Sequence, residues 1–132
     1  MLFEELYDFA GQVRKVNIAK PDSAAPFAYA DHIESESKKI FDKLEEKQYL
    51  KDLDREQFIS EITNLSENLN ALHPFREGNG RAVRLFLILL ADYAGYLLDY
   101  SQVSANDIIS SDKAAFNGDH ETLRSLYEKI VT

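Results

Sequence analysis

The sequence predicts an all-α domain: a compact helical bundle around a central buried helix, with a small β-hairpin flap near the N-terminus. Three observations predict it. Apolar residues recur three and four positions apart along most of the chain. The segment from Arg81 to Leu97 is apolar nearly all round, as a helix inside a core should be. One short stretch, Val16 to Phe27, breaks the helical period and alternates instead.

Taken in order, Leu2 to Arg14 places Leu2, Leu6, Phe9 and Val13 on one helical face. Val16/Ile18 and Ala25/Phe27 alternate on either side of Pro21-Asp22-Ser23, a good turn, and this gives the flap. Asp31 to Lys47 carries Ile33, Ile40 and Leu44 opposite a dense charged face. Asp54 with Gln57 three residues later resembles a capping box, and Phe58, Ile62, Leu65, Leu69 and Leu72 form the stripe of the helix that follows. After the central helix, Ser104 starts another, which Gly118 closes. Asp119 caps the last, with Leu123, Leu126, Tyr127 and Ile130 inward. The 132 residues make one domain, 1–132, large enough to bury a core.

Composition excludes several functions. Asp and Glu number 23 against 15 Lys and Arg, a net charge of −8, which suits no general nucleic-acid binder because phosphate contacts dominate that affinity. No cysteine is present, so disulfides and thiolate metal sites are excluded. Met1 to Asp8 has acids and no basic region, unlike a secretory signal. The longest apolar run, Leu85 to Ala91, is too short to span a bilayer. The expectation is a cytoplasmic protein without membrane partners, delivery into another cell remaining open.

Against this acidic background, His73-Pro74-Phe75-Arg76-Glu77-Gly78-Asn79-Gly80-Arg81-Ala82-Val83-Arg84 is a basic island. Pro74 disfavours the α region for His73 and so ends the incoming helix. Gly78 and Gly80 leave room for a ligand at the backbone. A helix N-terminus follows, whose unpaired N–H groups and dipole favour an anion. Arg81 and Arg84 share a face of its first turns, where cations oppose the dipole by roughly 0.3–1 kcal/mol. A bound anion would remove that conflict. Glu77, the only acid of the segment, suits Mg²⁺, which takes one or two carboxylates alongside phosphate oxygens and water. His73 has the ordinary pKa of a general base. His32 and His120 have no such company and read as surface or helix-start residues.

This segment resembles the signature of the Fic domain family, His-Pro-Phe-x-(Asp/Glu)-Gly-Asn-Gly-Arg-x-x-Arg, with every fixed position matched. Leu6 to Arg14 with Val16-Asn17-Ile18, Ala94-Gly95-Tyr96 through Leu98-Asp99, and Ala115 to Asp119 are similar to other parts of the family's domain, so nearly the whole chain is covered. The resemblance implies a Fic-type bundle that transfers AMP from ATP to a Ser, Thr or Tyr hydroxyl of a target protein, with release of pyrophosphate. It implies roles by position: His73 deprotonates the target hydroxyl, Glu77 holds Mg²⁺, and Gly78, Asn79 and Gly80 form the anion hole. Arg81 holds the phosphates, Arg84 engages the terminal phosphate, and Phe75 anchors the loop. The flap, with Ile18 and Phe27, is expected to dock the target in extended form.

Other readings are a phosphotransferase of the Doc branch, which departs from the second motif glycine that Gly80 supplies here, and a nucleotide-binding regulatory module without turnover, for which His73 would be superfluous. AMP removal in the family uses an inhibitory glutamate in the pattern (Ser/Thr)-x-x-x-Glu-(Gly/Asn). Thr63 to Asn68 matches that pattern but falls inside the core stripe, so it reads as coincidence. Inhibition is therefore expected from a separate antitoxin-like protein.

Overall fold

The computed structural model describes residues 32–72 and 79–132. They form five α-helices: α1 (Ile33–Glu46), α2 (Arg55–Leu72), α3 (Asn79–Ala94), α4 (Ala105–Phe116) and α5 (His120–Ile130). The expected N-terminal helix and the β-hairpin flap lie outside the described residues.

Local chemistry sets the helix starts. The backbone N–H of Gln57 donates to Asp54 Oδ1 at 2.8 Å and that of Asp54 to Gln57 Oε1 at 3.4 Å, the reciprocal box expected for α2. Ser104 and Asp107 make the same box for α4. Asp119 is the N-cap residue of α5, but its carboxylate accepts from the Thr122 hydroxyl at 3.0 Å instead of from a backbone N–H. Gly95 and Gly118, at φ 94° and 101°, end α3 and α4 in left-handed conformations. In each, an N–H one residue further reaches back to a carbonyl five positions earlier: Tyr96 to Ala91 and Asp119 to Ala114, both at 2.8 Å.

Among the described residues α2 is the central helix. It packs against each of the other four helices and buries Phe58, Ile59, Ile62, Leu65, Leu69 and Leu72. The expectation had placed α3 at the centre. Among the described residues α3 buries Ala82, Val83, Phe86, Leu87, Leu90 and Ala91 on one side, while Leu89 and Tyr93 on the other are 44% and 54% exposed. An apolar sequence all round does not guarantee burial all round, since apolar atoms make up much of any protein surface. The helix also ends at Ala94, three residues before the expected Leu97. Leu97 and Thr132 exchange two 2.9 Å backbone hydrogen bonds, and Leu98 and Val131 pair as an isolated antiparallel bridge, both buried.

Gln48, Tyr49, Leu50 and Asp52 all have positive φ, between 54° and 65°. This left-handed turn between α1 and α2 is costly for residues with a Cβ. It returns Leu50 to the core, 1% exposed, and sets Tyr49 edge-on to Tyr93 at 5.9 Å. No helix among the described residues is long and apolar enough to cross a membrane.

Candidate functional site

The loop residues His73, Glu77 and Gly78 lie outside the described residues, as do Ile18 and Phe27 of the flap. The structure places the loop's two supports. α2 runs through Leu72, buried at 3% exposure, directly before His73. α3 begins at Asn79 and carries Gly80, Arg81 and Arg84 in its first two turns.

Charge sets α3 apart. The other four helices each have an acid in the first turn: Glu34 and Glu36 in α1, Glu56 in α2, Asp107 in α4 and Glu121 in α5. α3 has none, and Arg81 stands there, exposed. Acids at the N-terminus satisfy the dipole and cations oppose it. Four helices follow the stabilising rule and one breaks it, at the terminus the glycine-rich loop feeds.

Arg84 is half-buried, one turn on, and its side chain folds back over Gly80. A Cβ at Gly80 would come within 3.0 Å of Arg84 Nη1. Gly80 therefore leaves the guanidinium room above the first turn of α3. Among the described residues no carboxylate lies within ion-pair distance of Arg84. A half-buried guanidinium with no ion pair among the described residues, in the first turns of a helix, has the chemistry to receive a phosphate-like anion.

The Thr63–Asn68 string lies within α2. The Thr63 hydroxyl donates to its own helix, to the Ile59 carbonyl at 2.7 Å. Glu67 Oε1 is 2.8 Å from His120 Nδ1, at the start of α5. This carboxylate is engaged away from Arg84.

Sequence reasoning missed one group. Tyr100 and Tyr127 place their hydroxyls 3.0 Å apart, with rings edge-to-face. Tyr127 donates to Ser66 Oγ at 3.0 Å, and Asn70 Nδ2 reaches Ser66 Oγ at 3.5 Å and Asp112 Oδ1 at 3.2 Å. Burial pushes both phenols up, Tyr127 to about 12. The Asp112 charge adds to the rise, and the opposite charge of Arg84 works against it at both. The Tyr100–Tyr127, Asn70–Asp112 and Tyr127–Ser66 bonds join residues 27 to 61 positions apart, so no local pattern announces them.

A separate cavity of about 440 Å³ lies between α1 and α2, its floor formed by Leu44, Leu50, Leu65 and Leu72. Lys39, Lys43 and Lys47 stand along its rim, Lys39 paired with Glu36 at 3.2 Å and Lys47 with Glu61 at 2.7 Å.

Comparison with known proteins sets this frame in context. The family model described as Fic/DOC family matches residues 1–91. The chain is 33% identical over 131 residues to a probable protein adenylyltransferase Fic of Escherichia coli, covering 99% of this chain and 64% of that protein. It is 36% identical over 131 residues to the protein adenylyltransferase VbhT of Bartonella schoenbuchensis, covering 99% of this chain and 27% of that protein. The chain thus spans less than two thirds of the length of either relative. Among solved structures, the N-terminal Fic domain of a putative cell filamentation protein of Bartonella quintana with bound ADP superposes with a TM-score of 0.86 at 30% identity, over 89% of this chain and 55% of that one. BepC of Bartonella tribocorum with bound AMPPNP gives 0.88 at 26% identity, over 99% and 72%.

Proposed function

The chain belongs to the Fic/DOC family, and on that premise we propose that it is a protein adenylyltransferase, transferring AMP from ATP to a hydroxyl of a target protein. The observation that carries the reading is the inverted charge at α3: arginines, with no acid, at the start of the one helix that follows the glycine-rich loop. The names of the relatives and the nucleotides bound in the similar structures support ATP as the donor.

In this reading His73 takes the proton of a Ser, Thr or Tyr hydroxyl. The oxygen attacks the α-phosphorus, and the bond to the β-phosphate oxygen breaks, releasing pyrophosphate. Gly78, Asn79 and Gly80 receive the phosphate oxygens on backbone N–H groups, Arg81 holds the β-phosphate region, and Arg84 the terminal phosphate. Glu77 is the lone carboxylate of a cationic loop, a donor set that fits Mg²⁺, and it would hold that ion. An Mg²⁺ ion bound there would supply charge neutralisation for the pyrophosphate leaving group. Ile18 and Phe27 in the flap dock the target segment in extended form. Glu67 is held by His120, which supports an inhibitor supplied in trans: a separate antitoxin-like protein whose carboxylate pairs with Arg84 in place of the terminal phosphate.

The test is transfer of label from ATP labelled at the α-phosphate to proteins of a cell lysate, with mass spectrometry of the adduct. His73→Ala should abolish transfer while ATP affinity, read by calorimetry, stays within a few-fold. Glu77→Ala and EDTA should each remove turnover. Full transfer in EDTA, or loss of ATP binding in a folded His73→Ala protein, contradicts the assigned roles.

A further inference from the structure

Two packed helices normally fill the space between them with side chains, because protein interiors are close-packed. Between α1 and α2 about 440 Å³ stays open, a volume within the roughly 300–1,000 Å³ of small-molecule pockets. Its floor is aliphatic: Leu44, Leu50, Leu65 and Leu72, none more than 7% exposed. Its walls are polar. α1 lines one side with Lys39 and Lys43, and Lys47 follows at its end, each one turn from the next. α2 lines the other with Asn64 and Asn68, again one turn apart. No residue of this lining is among those assigned to the nucleotide or the metal.

The charges select the ligand. Three ammonium groups a turn apart repel one another. The outer two are answered within the lining, Lys39 by Glu36 at 3.2 Å and Lys47 by Glu61 at 2.7 Å. Lys43, between them, has no ion pair among the described residues. The cavity is therefore lined by three lysines and two glutamates, one positive charge in excess on a chain of net charge −8. A single excess cation beside four leucines suits an anion of charge −1 on a hydrocarbon body. A phosphate dianion would bring one charge more than Lys43 answers, and hydration that leucines cannot replace. The amides of Asn64 and Asn68 can donate N–H groups to a carboxylate.

We propose that the cavity between α1 and α2 binds an aliphatic monocarboxylate, its carboxylate held by Lys43 and its hydrocarbon chain lying on the leucine floor.

The experiment titrates the 132-residue chain with hexanoate, octanoate and decanoate, each below its micelle-forming concentration. The methyl NMR signals of Leu44, Leu50, Leu65 and Leu72 report occupancy. They should shift saturably, with affinity rising about two- to four-fold for each added methylene, as partial to full burial of a CH₂ gives. Lys43→Gln, at an exposed position, should weaken octanoate several-fold and leave octan-1-ol unchanged. Ala71→Trp, exposed on the lining, should exclude both. Octanoate bound equally well by Lys43→Gln, or affinity independent of chain length, overturns the proposal. So does the absence of saturable decanoate binding. If the leucine signals then change with protein concentration, a second copy is the occupant, and if they respond to neither, the cavity is closed from within the chain. None of these outcomes bears on the nucleotide site, which shares no residue with this one.

Discussion

Replacing Gly80 with alanine should make the protein more stable and its proposed anion site worse. Gly80 lies in the first turn of α3, with no positive φ to forbid a side chain. Glycine within a helix costs roughly 0.5–1 kcal/mol relative to alanine, so the substitution should return up to about that amount. For a domain of this size that is a rise in Tm of about 2–5 °C. The new Cβ would stand 3.0 Å from Arg84 Nη1, closer than such atoms normally come. The yielding partner is the far end of a flexible side chain, so the fold tolerates it and the guanidinium shifts. A hydrogen bond to a charged group contributes about 1.5–3 kcal/mol, and losing one of those between Arg84 and a phosphate weakens ATP binding by about ten-fold or more. Thermal unfolding and ATP calorimetry on the same sample read the two effects. Refutation is specific: Gly80→Ala binding ATP like the wild type would mean that Arg84 does not need the space above residue 80. A large loss of stability would mean that glycine serves the backbone there.

Three further outcomes follow from the geometry. Leu90→Ala, at a position 0% exposed, should cost about 2–5 kcal/mol in a urea titration, and a cost below 1 would mean that the α2–α3 contact is loose. Tyr127 holds its proton to about pH 12 in the fold against an ordinary value of 10.0, so its contribution to stability is complete below pH 10 and lost as pH rises towards 12. Absorbance at the phenolate band should show that tyrosine ionising late and together with alkaline unfolding, and Tyr127→Phe should remove that part of the pH dependence. Glu67→Ala should leave self-modification of the purified chain unchanged, because Glu67 bonds His120, whereas a sharp rise would place the inhibitory carboxylate within this chain.

What the sequence made legible was what neighbouring residues decide. Asp54 with Gln57, Ser104 and the glycine at 118 act within a few positions of themselves, and the α2 stripe lies where its period puts it. The loop before Arg81 stands out in the sequence because its residues break local rules together, and its residues 73–78 lie outside the described residues. What stayed hidden depends on distant partners. The Leu98–Val131 bridge joins a short segment with no alternation to the chain's end. The turn at 48–52 adopts left-handed angles without a glycine to mark it. Which faces of α3 are covered is decided by the packing of other segments, and Leu89 and Tyr93 look no different in sequence from Leu87 and Leu90. Tyr100 and Tyr127 read as ordinary core aromatics until the fold brings their hydroxyls together.

The first residue of α2 also has a consequence for the residue proposed as the base, which follows its other end. Arg55 Nη2 donates to the carbonyl of Glu128 at 2.6 Å and reaches that of Val131 at 3.2 Å, so it stoppers the open end of α5. α2 is a rod of 18 residues, about 27 Å long, with Arg55 at one tip and Leu72, the residue before His73, at the other. A rod latched at one tip transmits tilt to the other. Trimming the last few residues, or fusing a bulky partner onto Thr132, would unlatch it at a place remote from any phosphate. Under the role proposed for His73, the damage would be read as slower turnover with the nucleotide still bound.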